Sequence, residues 1–105
     1  MPVLRVGPVE ASHLLADGAV DLVDVREPHE WLVAHLPGAR HVPLGLFLHS
    51  PGHHLKAART LFVCAHGIRS VTAAAVAERH GCAESYSLDG GVLAWVRAGF
   101  PLERG

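Results

Sequence analysis

An apolar run, Leu61-Phe62-Val63, stops on a cysteine, and after Ala65-His66-Gly67-Ile68 an arginine leads into an Ala-rich segment running from Ser70 to His80. An unbroken run of β-branched and aromatic residues marks a buried strand, and the Ala-rich segment has high helical propensity, with Gly81 placed to stop it. A strand that feeds a helix across a tight turn points to helices packed on a mostly parallel sheet. It also sets a thiol at a strand-to-helix turn. Backbone N–H groups converge there and the positive end of the next helix points at it, so the turn suits an anion and favours a thiolate. Arg69 adds a guanidinium at the rim.

The rest of the chain repeats the alternation. Val3 to Val6 reads as a first strand, Pro8 to about Ala16 as a helix with Val9, Leu14 and Leu15 as its apolar positions, and Val20 to Val25 as a second strand. Pro28 opens a short helix with Trp31 and Leu32 facing inward, Arg40 to Val42 reads as a third strand, and Leu44 to Leu48 suggests a brief helix weakened by Gly45. Residues 49–54, with Pro51, Gly52, His53 and His54, read as the most breaker-rich loop and the expected place for disorder. Ser85 to Leu88 reads as the last strand and Val92 to Ala98 as the last helix, carrying Trp95 inward and stopped by Gly99 and Pro101. The expectation is one α/β domain over residues 1–105, with ligands outside the carboxyl ends of its strands, where Cys64 lies.

Composition narrows the function classes. With 105 residues, half of them hydrophobic and 18% charged, the chain can bury a core without metal or disulfide support. A net charge of -1 gives no polybasic signature, so nucleic acid and anionic membrane are not expected partners. Met1-Pro2-Val3-Leu4-Arg5 shows no leader pattern and no apolar run reaches spanning length, so the default expectation is a soluble cytoplasmic protein. Nine histidines raise the question of metal. Only His49, His53 and His54 cluster, in a loop read as exposed and without a nearby Cys or carboxylate, so no metal site is expected.

Cys64 at its turn reads as a reactive thiolate, with Arg69 and the helix start lowering its pKa. A cation at a helix start is unfavourable, which argues that Arg69 faces a ligand. Gly67 serves backbone geometry, and His66 is as readily exposed as it is anion-binding. Asp24, Arg26 and Glu30 read as a buried polar network, with Arg26 paired to Glu30 four residues on. Asp89 and Gly90-Gly91 should lie at the same sheet edge as Cys64 in a structural role. Cys82, the other cysteine, reads as a small core hydrophobe, and its separation from Cys64 along the chain says nothing of whether the sulfurs meet.

Cys64-Ala65-His66-Gly67-Ile68-Arg69-Ser70 resembles the active-site loop of the rhodanese (sulfurtransferase) family. Two further stretches agree. Asp24-Val25-Arg26-Glu27-Pro28-His29-Glu30-Trp31, followed by His35-Leu36-Pro37-Gly38-Ala39, is similar to the family's upstream signature, with Ala34 where a glycine is usual and a turn altered there. Leu88-Asp89-Gly90-Gly91 with Trp95, then Gly99-Phe100-Pro101, resembles its C-terminal ending. The resemblance implies a rhodanese-like three-layer α/β domain with a mostly parallel central sheet and helices on both faces. It implies a Cys64 that takes sulfane sulfur from a donor such as thiosulfate as a persulfide and passes it to cyanide or a thiol, with Ala65, His66, Gly67, Ile68, Arg69 and Ser70 holding the small sulfur-containing anion. No metal or organic cofactor is implied, and two half-reactions predict ping-pong kinetics. A protein as sulfur donor or acceptor fits the same resemblance. The alternatives are a carrier or regulatory module fed with sulfur by a protein partner and, more remotely, a phosphatase or arsenate reductase-like enzyme. The last of these resembles Cys-x5-Arg, one residue longer than the Cys-x4-Arg here.

Overall fold

A computed structural model of the chain describes residues 3–104. Met1 and Pro2, which open the segment read above as lacking a leader, and Gly105 lie outside the described residues. Five strands, β1 (Leu4–Val6), β2 (Asp21–Asp24), β3 (Arg40–His41), β4 (Arg59–Val63) and β5 (Glu84–Leu88), form one sheet in the order β1-β5-β4-β2-β3. Every strand pair in it is parallel. The helices are α1 (Pro8–Ala16), α2 (Pro28–Val33), α3 (Leu44–His49), α4 (Pro51–His54), α5 (Arg69–Arg79) and α6 (Gly91–Arg97). Among the described residues no helix is long and apolar enough to cross a membrane.

Parallel strands need crossovers, and the crossovers cover both faces of the sheet. The period of two along β4 sends Phe62 and Cys64 into one core with Val23, Phe47 of α3 and Ala73, Ala74 and Ala77 of α5. Leu61 and Val63 point into the other, with Ala11 of α1, Leu88, and Trp95 of α6. The small side chains of α5 let that helix lie close over the sheet. β5 alternates differently: Tyr86 and Leu88 enter the α1/α6 core, whereas Ser85 lies under α5 and donates its hydroxyl to the Ala74 carbonyl at 2.6 Å.

Several local expectations are corrected. Residues 49–54 are not a loop: His49 ends α3 and Pro51, with its φ preset, starts a one-turn helix whose His54 carbonyl accepts from Arg40 at 2.7 Å. His49 and His53 are exposed, but His54 is half-buried near Phe47. Gly45 is tolerated because Phe47 anchors α3 in the core. In α1 the buried position is Ala11 while Val9 faces solvent, and in α2 Leu32 is exposed. A six-residue helix has room for one packed side, and Trp31 takes it, its ring stacked with those of His35 and His41 at centroid distances of 3.5 and 4.8 Å. Ala34 is extended, with φ -171°, so no turn is altered and a side chain is accommodated without strain.

Candidate functional site

The loop after β4 is shaped by glycines and by α6. Gly67 has φ +92°, and a Cβ there would stand 2.9 Å from the Gly90 nitrogen and 3.3 Å from the Leu88 carbonyl oxygen. Gly91 has φ +63°, and its Cβ would lie 2.3 Å from the Cys64 carbonyl oxygen. With no side chain at Gly91, the start of α6 sits against the loop, where Val92 and Leu93 donate backbone N–H groups to the carbonyls of Cys64 (2.8 Å) and Ala65 (3.2 Å). These two carbonyls serve donors that a helix start leaves free, and they are turned away from the sulfur. The loop's N–H groups are turned the other way. Gly67 N–H donates to Cys64 Sγ at 3.1 Å and Ser70 N–H at 3.3 Å, and Ser70 Oγ lies 3.4 Å from Sγ.

Cys64 is 1% exposed. Burial pushes its thiol pKa up, but hydrogen bonds from the Ser70 side chain and from the backbone N–H groups of Ser70, Gly67 and His66 outweigh it, and the pKa is held below the ordinary thiol value. The lowering rests on donors at the sulfur rather than on a free Arg69. Both terminal nitrogens of Arg69 are held by Glu30, at 2.8 and 3.1 Å. That bidentate bond brings the Glu30 carboxyl down to about 2, with backbone N–H donation from Glu27 adding to it. Glu30 thus caps α2 and anchors Arg69 of α5, which relieves the mismatch of a cation at a helix start. Arg26 is not its partner. Arg26 sits at a bend before α2 and folds back onto the fully buried Asp24, with Nη2–Oδ2 at 2.8 Å, and also donates to the Ala34 carbonyl at 2.7 Å.

The structure brings Ala65, His66, Gly67, Ile68, Arg69 and Ser70 around one turn over Cys64, with Ser70 buried and His66 and Ile68 exposed at the tip. Asp89 and Gly90-Gly91 lie at the same sheet edge, as the chain order suggested. A cleft of about 270 Å³ opens beside the loop between Ala65, His66, Arg26 and the α6 residues Val92, Leu93 and Val96. Cys82 is buried on the α5 side of the sheet, its Sγ 3.5 Å from the carbonyls of Ala58 and Glu84, and both cysteines are free. Among the described residues no group of three or more His, Cys, Asp or Glu side chains is placed to hold a metal ion. Two features escaped the sequence reading. The tie of Glu30 to Arg69 spans 39 positions and has no local signal. Ser87, whose Oγ is 2.7 Å from Ser70 Oγ, announces itself only as the polar alternate of a strand.

Comparison with known proteins matches residues 7–98 to the family model described as Rhodanese-like domain. A curated relative from Ectopseudomonas mendocina (strain ymp), named thiosulfate sulfurtransferase GlpE, is 41% identical over 100 residues, which cover 94% of this chain and 89% of the relative. Among solved structures, the thiosulfate sulfurtransferase from Pseudomonas aeruginosa superimposes with a TM-score of 0.86 at 25% identity, covering 99% of this chain and 20% of that one. The human single-domain sulfurtransferase TSTD1 superimposes with a TM-score of 0.76 at 25% identity, covering 92% and 96% of the two chains.

Proposed function

This chain belongs to the rhodanese-like domain family, and on that footing we propose that it is a thiosulfate sulfurtransferase in which Cys64 carries the transferred sulfur as a persulfide. The observation that carries the reading is the set of donors converging on Cys64 Sγ at the carboxyl end of the central strand. The Cys64 thiolate attacks the sulfane sulfur of thiosulfate, the S–S bond of the donor breaks, and the electron pair leaves with sulfite. In the second half-reaction cyanide or a thiolate attacks the outer sulfur of the persulfide, and the electron pair returns to Sγ. Neither half-reaction changes the proton count of the protein if the thiolate is the resting form.

Residues 65–70 hold the anion in this reading, chiefly through backbone N–H groups, because charge on a sulfur is met there without reorganisation. Residues 1–105 act as one domain with a small sulfur-containing anion as substrate and a protein as a further sulfur donor or acceptor. The cytoplasm as its setting is supported by two cysteines that are both free. Intact mass after brief exposure to thiosulfate tests the intermediate. One added sulfur on the wild type, absent from Cys64→Ser and removed by cyanide, is the expected result. A reduced wild type that gains no mass, or a Cys64→Ser variant that turns over at the wild-type rate, would overturn it.

A further inference from the structure

Three buried atoms stand in a line beneath the loop: Cys64 Sγ, Ser70 Oγ at 3.4 Å, and Ser87 Oγ 2.7 Å beyond that. Ser70 and Ser87 are 0% and 1% exposed. Ser70 belongs to the first turn of α5, whereas Ser87 comes from β5, the strand beside β4, on the face that α5 covers. Among the described residues Ser87 Oγ has no other hydrogen-bond partner. We propose that Ser87 is a positioning residue for the reaction at Cys64: acting through Ser70, its hydroxyl favours the anionic form of the cysteine sulfur. The proposal rests on the reading of Cys64 as the sulfur carrier.

The line has two links, Sγ to Ser70 and Ser70 to Ser87, and each link takes one proton. With a thiolate the cluster has just those: Ser87 O–H donates to Ser70 Oγ, and Ser70 O–H donates to Sγ. With a thiol it has one proton more than it has links. If the thiol S–H donates to Ser70 and Ser70 to Ser87, the Ser87 proton has no acceptor; if Ser87 donates to Ser70, either the Ser70 proton or the S–H lacks one. A buried hydroxyl proton without an acceptor is costly, and neither serine is open to water. Without the Ser87 hydroxyl the extra proton of the thiol form is still unmatched, now on Ser70; what Ser87 adds is its own O–H donated to Ser70 Oγ, which turns the Ser70 O–H toward the sulfur and polarises it, and that strengthened donation favours the anion. In the second half-reaction the same Ser70 O–H is in place to donate as the electron pair arrives on Sγ.

The charged and titratable groups around the cysteine are Arg69 of α5, held by Glu30 of α2, the exposed His66 of the loop, and the Asp24–Arg26 pair at the end of β2, which runs beside β4. Among the described residues none of them bonds to either serine hydroxyl, so the line responds to the sulfur alone.

The test is the titration of Cys64 followed by its thiolate ultraviolet absorbance, with Cys64→Ser subtracted, in Ser87→Ala, Ser70→Ala and the double variant. Ser87→Ala is expected to raise the midpoint by about half a unit and Ser70→Ala by about one unit, while the double variant matches Ser70→Ala, because Ser87 acts only through Ser70. Ser87→Thr, which keeps a hydroxyl, is expected to keep the wild-type midpoint. The acid limb of the turnover pH profile should move with the midpoint. A folded Ser87→Ala protein with an unmoved midpoint would overturn the proposal, as would a Ser87→Ala shift that persists without Ser70. Should Ser87→Ala not fold, an unmoved midpoint in Ser70→Ala would overturn it equally. The titration needs no sulfur donor, so it is read independently of the thiosulfate adduct, whose absence would instead remove the reading of Cys64 as sulfur carrier.

Discussion

Replacing Gly67 with alanine separates two demands that the loop makes on one residue. The backbone there has φ +92°, and the space a side chain would fill is taken by the Gly90 nitrogen at 2.9 Å and the Leu88 carbonyl oxygen at 3.3 Å. A non-glycine residue in the left-handed region costs about 1–2 kcal/mol. The obstructing atoms are backbone, so relieving the contact means moving the turn before α6, and overpacking of this kind adds roughly 1–3 kcal/mol. Gly18 is the natural control, since its φ is +76° and nothing lies within 4 Å of its added Cβ. Urea unfolding should therefore show Gly18→Ala losing about 1–2 kcal/mol and Gly67→Ala about 2–5 kcal/mol, with a midpoint shift at constant m. Moving the loop also pulls the Gly67 N–H away from Sγ, so the Cys64 thiol pKa should rise in Gly67→Ala and stay put in Gly18→Ala. Equal stability losses in the two variants, with the same Cys64 titration, would mean that the backbone around Gly67 neither obstructs a side chain nor holds the N–H on the sulfur.

Arg26→Leu should destabilise the protein by about 3–5 kcal/mol in chemical denaturation, because it strands the fully buried Asp24 carboxylate without its partner. The Glu30–Arg69 pair sets an acid window. The Glu30 pKa is lowered from 4.5 to about 2, so its contribution is present above pH 4.5 and fades as the pH falls toward 2. With both side chains partly open to solvent the contribution is about 1 kcal/mol, and the melting temperatures of wild type and Glu30→Gln should converge across that window. Because the Cys64 pKa is lowered, cyanide turnover should rise with pH and level off below the ordinary thiol pKa; a limb centred at or above it would contradict the hydrogen-bond account.

Much of the fold is legible along the chain because it is written in short-range chemistry. Pro8 and Pro28 each open a helix, Gly81 and Gly99 follow helix ends with φ of +92° and +91°, and apolar runs mark β2 and β4. The strand-to-helix turn carrying Cys64, and the glycines that let it close, are visible for the same reason. Short elements misled where one packed residue overrode the local pattern, as with Phe47 in the glycine-containing α3 and Leu32 left exposed in α2.

Apart from α4, the order of strands and helices, the parallel sheet and the place of the thiol can be read along the chain, since periodicity, proline and glycine act over a few residues. Only the tertiary structure decided who meets whom. Arg69 meets Glu30 across 39 positions, the Cys64 and Ala65 carbonyls are taken by α6, and Ser87 arrives beneath Ser70. Such pairings depend on the crossovers that place β5 beside β4 and α5 above both, and no local pattern encodes which distant partner a polar group will find once it is buried.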